Sequence, residues 1–200
     1  MRFAFAAITC LIGASSASRN LLAGTPVFTA EEVSQCGDIR IPEVTVTPTG
    51  VLLLAQCRYA NASGVGKGRR RLDDMSHAKV LTKFSEDFGK TWGPMTVLTP
   101  KRGHSHPQAV YDRKRKQVLL QYQYHPSVDP EFNSTMFQLT STDDGKTWSK
   151  KRDITSLLEQ CNPDAPHDMQ VGTAGAKIQT SSGRILFVGH AKGTGWQVLS

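Results

Sequence analysis

Ser85-Glu-Asp-Phe-Gly-Lys-Thr-Trp92 returns 56 residues later as Ser141-Thr-Asp-Asp-Gly-Lys-Thr-Trp148, and this repeat decides the architecture. Serine and aspartate side chains can accept backbone donors across a tight turn. Glycine supplies a positive φ without Cβ strain. Tryptophan brings a large ring that ties the hairpin to its neighbour. Each copy follows a short β-rich run, and before that a stronger one. The lead-in occurs a third time, as Gly183-Arg-Ile-Leu-Phe-Val-Gly-His190 and then Trp196-Gln-Val-Leu199, so Ser200 stands where a third motif would open. Units of about 50 residues built from several short strands are the signature of propeller blades.

Working outward, Val51-Leu-Leu-Leu-Ala55, Lys79 to Phe84, Gln117 to Tyr124, Met136 to Thr140, Arg184 to Val188 and Trp196 to Leu199 read as strands between Gly, Pro, Asn, Asp and Ser. Ile154-Thr-Ser-Leu-Leu158 fits either a strand or a helical turn. No segment sustains a helical period, so the chain is expected to be all-β.

The amino terminus is read apart from the fold. Arg2, the apolar run Phe3 to Ala14 and the small residues Ser15-Ser-Ala17 make residues 1–17 an expected signal peptide and 18–200 the domain. The run is too short for a membrane span, and no later segment approaches the ~20 apolar residues one needs. Secretion, to the lysosome or the cell exterior, agrees with N-glycosylation acceptors at Asn61 (Asn61-Ala-Ser63) and Asn133 (Asn133-Ser-Thr135). Without Cys10 three cysteines remain, Cys36, Cys57 and Cys161. An odd count leaves at least one thiol free or paired elsewhere, and Cys36–Cys57 is a possible bridge. The formal charge is +7, concentrated at Lys67-Gly-Arg-Arg-Arg71 and Arg113-Lys-Arg-Lys116. Both runs sit between strand signals without aromatic interleaving, which argues for solvated loops with a mild attraction for anionic glycans and against a nucleic-acid partner.

The repeat resembles the Asp-box repeats of the sialidase (neuraminidase) superfamily, a resemblance that reaches from Gly24 to Ser200. Asp boxes also occur in other propellers, so alone they imply fold and leave function open. The resemblance implies an all-β six-bladed propeller of which about the first three blades are present, an incomplete domain expected to fold poorly and to lack activity by itself. The last third, including Gly172-Thr-Ala-Gly-Ala-Lys-Ile-Gln179, looks most like lysosomal-type animal sialidases.

Function rests on what precedes the first box. Arg40-Ile-Pro42, the Pro48-Thr-Gly50 turn, the strand Val51 to Ala55 and then Arg58 resemble the family's Arg-Ile-Pro motif, turn, apolar strand and second arginine. Ile39 replaces the aromatic residue before the first arginine, and Gln56 stands where the family carries an acid. Planar guanidinium groups grip a sugar carboxylate bidentately in a way lysine cannot, so the resemblance makes Arg40 and Arg58 ligands of sialic acid. Asp74, with Asp73 adjacent, lies at the family's distance before the first box and is the implied general acid. His106, in His104-Ser-His-Pro107, is the expected contact to the N-acetyl or glycerol arm. A carboxylate nucleophile beside the substrate carboxylate would suffer about 4 kcal/mol of repulsion at 4 Å and an effective dielectric near 20. The family uses a tyrosine with a glutamate base instead, and neither is identified here.

The implied function is exo-α-sialidase action on sialylated glycoproteins, glycolipids or oligosaccharides, with no metal or cofactor. Nothing in the sequence identifies a protective protein partner. The alternative is a non-catalytic Asp-box propeller that binds glycans or proteins, and a third possibility is a sialidase fold turned to another acidic sugar.

Overall fold

The computed structural model describes residues 26–59, 78–125, 135–160, 169–171, 177–191 and 195–199. They form three four-stranded antiparallel sheets. The first runs β1 (Asp38–Thr47), β2 (Gly50–Arg58), β3 (Ala78–Ser85) and β4 (Thr96–Val97) in order. The second repeats it as β5 (His104–Asp112), β6 (Gln117–Tyr124), β7 (Thr135–Ser141) and β8 (Arg152–Asp153). In the third, β9 (Met169–Val171) and β10 (Ile178–Gln179) both pair with β11 (Ile185–Ala191), which pairs with β12 (Gly195–Leu199). All the strands read from the sequence are present. The signal-peptide residues, Asn61, the Lys67–Arg71 run, Asp73, Asp74, Asn133 and Cys161 lie outside the described residues.

Alternation along each strand builds a layered core. Leu52, Leu54 and Val80 of the first sheet pack on Ala109, Val118, Leu120, Tyr122 and Leu139 of the second. The opposite face of the second sheet sends Val110 and Met136 against Ile154 and Phe187. Leading strands β1 and β5 are joined where the Thr45 hydroxyl donates to the Ala109 carbonyl at 2.7 Å. At the far end of β5, Gln179 Nε2 donates to the buried Asp112 Oδ1 at 2.7 Å, linking the second sheet to the third.

The two repeated octapeptides form the same turn. Ser85 Oγ donates to Asp87 Oδ1 (2.8 Å) and accepts from the Gly89 N–H (2.7 Å). Thr91 closes the turn by donating its N–H to Asp87 Oδ1 and its hydroxyl to Asp87 Oδ2. Ser141, Asp143, Gly145 and Thr147 repeat this network. Gly145 has φ +94°, and a Cβ there would also strike Leu52 at 2.9 Å. Trp92 packs on the outer face of the first sheet and Trp148 in the core between the first two.

These hydrogen bonds, led by the Thr91 and Thr147 hydroxyls, hold Asp87 and Asp143 at about 2. Their unfolded value is near 4, so the stabilisation is complete above that pH and is lost as pH falls through 2. Acid titration of Asp143→Asn should therefore show a smaller loss of stability between pH 4 and 2 than the native chain; equal losses would remove the turn carboxylate from the acid response.

Two short helices accompany the strands, the first outside the all-β expectation and the second settling a stretch that fits either a strand or a helical turn. The apolar stretch after Ile154 resolves as α2 (Thr155–Glu159), a single turn. The other, α1 (Ala30–Gln35), has a capping box: Thr29 Oγ1 accepts from the Glu32 N–H while Glu32 accepts from the Thr29 N–H. Thr29-x-x-Glu32 announces such an N-terminus, but six residues are too short to show a period. This segment lays Val27 and Phe28 on Leu53, Ala55 and Leu81, and is fastened by the Cys36–Cys57 disulfide (Cα–Cα 5.2 Å).

Candidate active site

Arg40 and Arg58 meet at the end of the first sheet opposite the repeated turns. In the β1–β2 register Asp38 lies across from Arg58, and Arg40 across from Gln56. Paired residues share a face, as do residues two apart, so these four side chains form one patch on the face toward the second sheet. Diagonal neighbours such as Arg40 and Arg58 stand about 7 Å apart. That spacing suits two guanidinium groups closing on one anionic group.

The backbone explains why the motif reads Arg-Ile-Pro. The register shifts between Arg40 and Glu43, with Ile41 at φ 54°. Such a bulge bends the strand and re-aims the side chain before it, and Pro42 suits it because proline has no N–H to give the ladder. The second sheet repeats the device: its register shifts between Ser105 and Gln108, with His106 at φ 52° before Pro107. Ser105 therefore holds the place of Arg40, His106 that of Ile41, and His125, two residues past Gln123 as Arg58 is two past Gln56, that of Arg58. His106 is buried and shares a 3.1 Å hydrogen bond between its Nδ1 and Ser105 Oγ.

The two arginines differ in environment. Arg40 is 57% exposed, and its Nη1 donates to Asp38 Oδ2 at 3.2 Å. Arg58 is buried, and Gln56 Oε1 accepts from both its Nε (3.1 Å) and its Nη2 (3.0 Å). These two donors fix the Gln56 amide orientation, and its oxygen serves as one acceptor for the guanidinium. Gln56 Nε2 is buried with no acceptor among the described residues. Gln56 stands out in the sequence as the residue two before Arg58, and sequence reading misses Asp38 although it stands two before Arg40; alternation along the strand is the signal that points to it.

On the face of the second sheet that packs against the first, His104 lies edge-on to Tyr122 (centroids 5.4 Å apart) and tilted on Tyr124 (4.8 Å). Burial lowers the His104 pKa and raises that of Tyr122 to about 12, which favours the neutral form of both. The patch on the first sheet thus presents two guanidinium groups, donors suited to an anion.

No family model matches the chain. It is similar to a sialidase of Micromonospora viridifaciens, 29% identical over an alignment of 182 residues that covers 80% of this chain and 26% of that protein. Among solved structures it is similar to the Hadza microbial sialidase Hz136 (TM-score 0.61, 18% identity, 82% of this chain and 38% of that one). It is also similar to the leech intramolecular trans-sialidase complexed with 2,7-anhydro-Neu5Ac (TM-score 0.63, 14% identity, 88% and 45%). These likenesses support the sialidase superfamily and are consistent with an all-β propeller. The chain spans about a quarter of the length of the curated relatives it matches.

Proposed function

We propose that this chain is part of an exo-α-sialidase, a glycosidase releasing terminal sialic acid from glycoproteins, glycolipids or oligosaccharides. The observation that carries the reading is the placing of Arg40 and Arg58 on one face of adjacent strands, with Gln56 aligning the second. In this reading the pair binds the sugar carboxylate and His106 borders the ligand from the second sheet. Asp74 protonates the leaving oxygen as general acid and then activates water. The nucleophilic tyrosine, its glutamate base and the remaining carboxylate-binding arginines, two or at least one, are assigned to no residue of this chain.

The wider setting belongs to the same proposal. The octapeptide turns are Asp boxes of a six-bladed propeller in which residues 18–200 form about three blades. Val44 and Val46, 57% and 65% exposed on β1, leave apolar surface that a neighbouring blade would bury. The last third favours a lysosomal-type animal enzyme that enters the secretory route by the leader 1–17 and carries glycans at Asn61 and Asn133. Among the described residues no helix is long and apolar enough to cross a membrane.

The deciding experiment is an assay of the natural full-length polypeptide against an α-linked sialoside, with release of free sialic acid followed by NMR. Turnover is expected, and the 200-residue chain alone should be inactive. Saturable binding of sialylated glycans without release would instead establish a non-catalytic propeller.

A further inference from the structure

We propose that Lys79 and Arg102, both held against the Tyr59 ring, form a second anion-binding site on the rim beside Arg58. The site would accept a carboxylate or sulfate carried by the aglycone, a proposal that rests on the sialidase reading above. Tyr59 follows Arg58 directly and turns to the other face of the sheet, packing beside Cys57. Arg102 Cζ lies 4.5 Å from its ring centroid and Lys79 Nζ 5.7 Å. Lys79 sits across from Cys57 in the β2–β3 register. A cation over a ring is ordered without losing its charge, and neither cation lies within ion-pair reach of a carboxylate among the described residues.

The backbone bearing Arg102 is fixed on both sides. His104 Nδ1 hydrogen-bonds the Lys101 carbonyl at 2.9 Å, and the His125 N–H donates to the Gly103 carbonyl at 2.7 Å. Gly103, at φ +94°, could not carry a Cβ, which would meet the His125 carbonyl oxygen. Two cations with no carboxylate partner among the described residues, one on a strand and one on a pinned turn, sacrifice little conformational freedom on binding. Tyr59 follows the arginine proposed to hold the sugar but lies on the other face of the strand end, so an anion at this place would belong to what the sugar is linked to, reaching round the rim. Substrates with a second negative charge should therefore be preferred, and the preference should shrink as salt shortens the Debye length below about 10 Å.

The test compares sialyllactose with its disialylated and sulfated counterparts on the full-length protein. Native protein should favour both doubly charged substrates by roughly fivefold in kcat/KM, about the effect of one to two exposed charge pairs. Lys79→Ala/Arg102→Ala should bring that ratio to about one while leaving turnover of sialyllactose unchanged. Preference for only one of the two would assign the site to carboxylates or to sulfates. A ratio near one in the native protein, or an undiminished ratio in the variant, overturns the proposal. If no sialoside is turned over, the sialidase reading falls and binding decides the rim site separately. Titration with lactose 3′-sulfate should then shift the Tyr59 ring resonances in the native protein and not in the double variant, and absence of that shift ends the proposal.

Discussion

Lys83→Met should lower the unfolding free energy by about 3 kcal/mol, the low end for breaking a buried ion pair, and the melting temperature by roughly 10 °C. The Lys83 ammonium, 3% exposed, donates to both Glu32 carboxylate oxygens (2.9 and 2.7 Å) and to the Val27 carbonyl (2.7 Å). It also lies 5.3 Å from the Phe28 ring centroid. Glu32 in turn accepts from the Thr29 and Met95 N–H groups. Burial works to raise the Glu32 pKa, but its Lys83 hydrogen bond and the two backbone donors outweigh it and the carboxyl is held low. Methionine keeps the aliphatic stem and removes the charge, so Glu32 would be left in a site it shares with Leu53, Ala55 and Leu81 and without its cation. Glu32 retains 14% exposure, which is why the low end of the range applies. Chemical denaturation measures the loss, and Lys83→Met/Glu32→Gln should recover part of it because no lone charge remains. An unchanged midpoint in the single variant would mean that the disulfide alone holds the 26–37 segment on the sheet.

That clasp marks the limit of what the sequence discloses. The β-strands were legible because alternation and turn residues are local, and the repeated octapeptides because serine, aspartate, glycine and threonine satisfy one another within eight residues. The Cys36–Cys57 bridge was legible as a possibility only, since separation in space depends on how β1 folds onto β2. Lys83 reads as one polar residue in a strand, and nothing near it announces a partner 51 positions earlier. The same holds for the site. Arg40-Ile-Pro42 could be singled out, but the bulge at Ile41 and its echo at His106 became visible only through pairing register. Asp38 and Gln56 each hydrogen-bond the arginine two residues on in the same strand, a spacing visible in the sequence, but that the two pairs share one patch follows only from the ladder.

Arg40→Ala in the full-length protein is expected to cost about 3 kcal/mol in kcat/KM on a sialoside, roughly 150-fold, the scale of losing one charged partner of a recognised anion. Arg40 is the cleaner of the two arginines to remove. Its exposed head makes one 3.2 Å contact, to Asp38, and exposed pairs of this kind contribute at most about 1 kcal/mol to folding. Arg58 is buried on Gln56, so its loss would mix folding with binding. The carboxylate dependence can be isolated by a cycle: methyl esterification of the sugar should weaken binding to the native protein and hardly affect the Arg40→Ala variant, because the interaction each change deletes is the same one. Asp38→Asn should act in the opposite direction. It removes the carboxylate that now occupies the Arg40 guanidinium, and so should raise affinity for free sialic acid a few-fold in calorimetry. If Arg40→Ala leaves both turnover and ester sensitivity intact, the patch on the first sheet is not where the sugar carboxylate sits. The proposed assignment of Arg40 and Arg58 would then have to be abandoned.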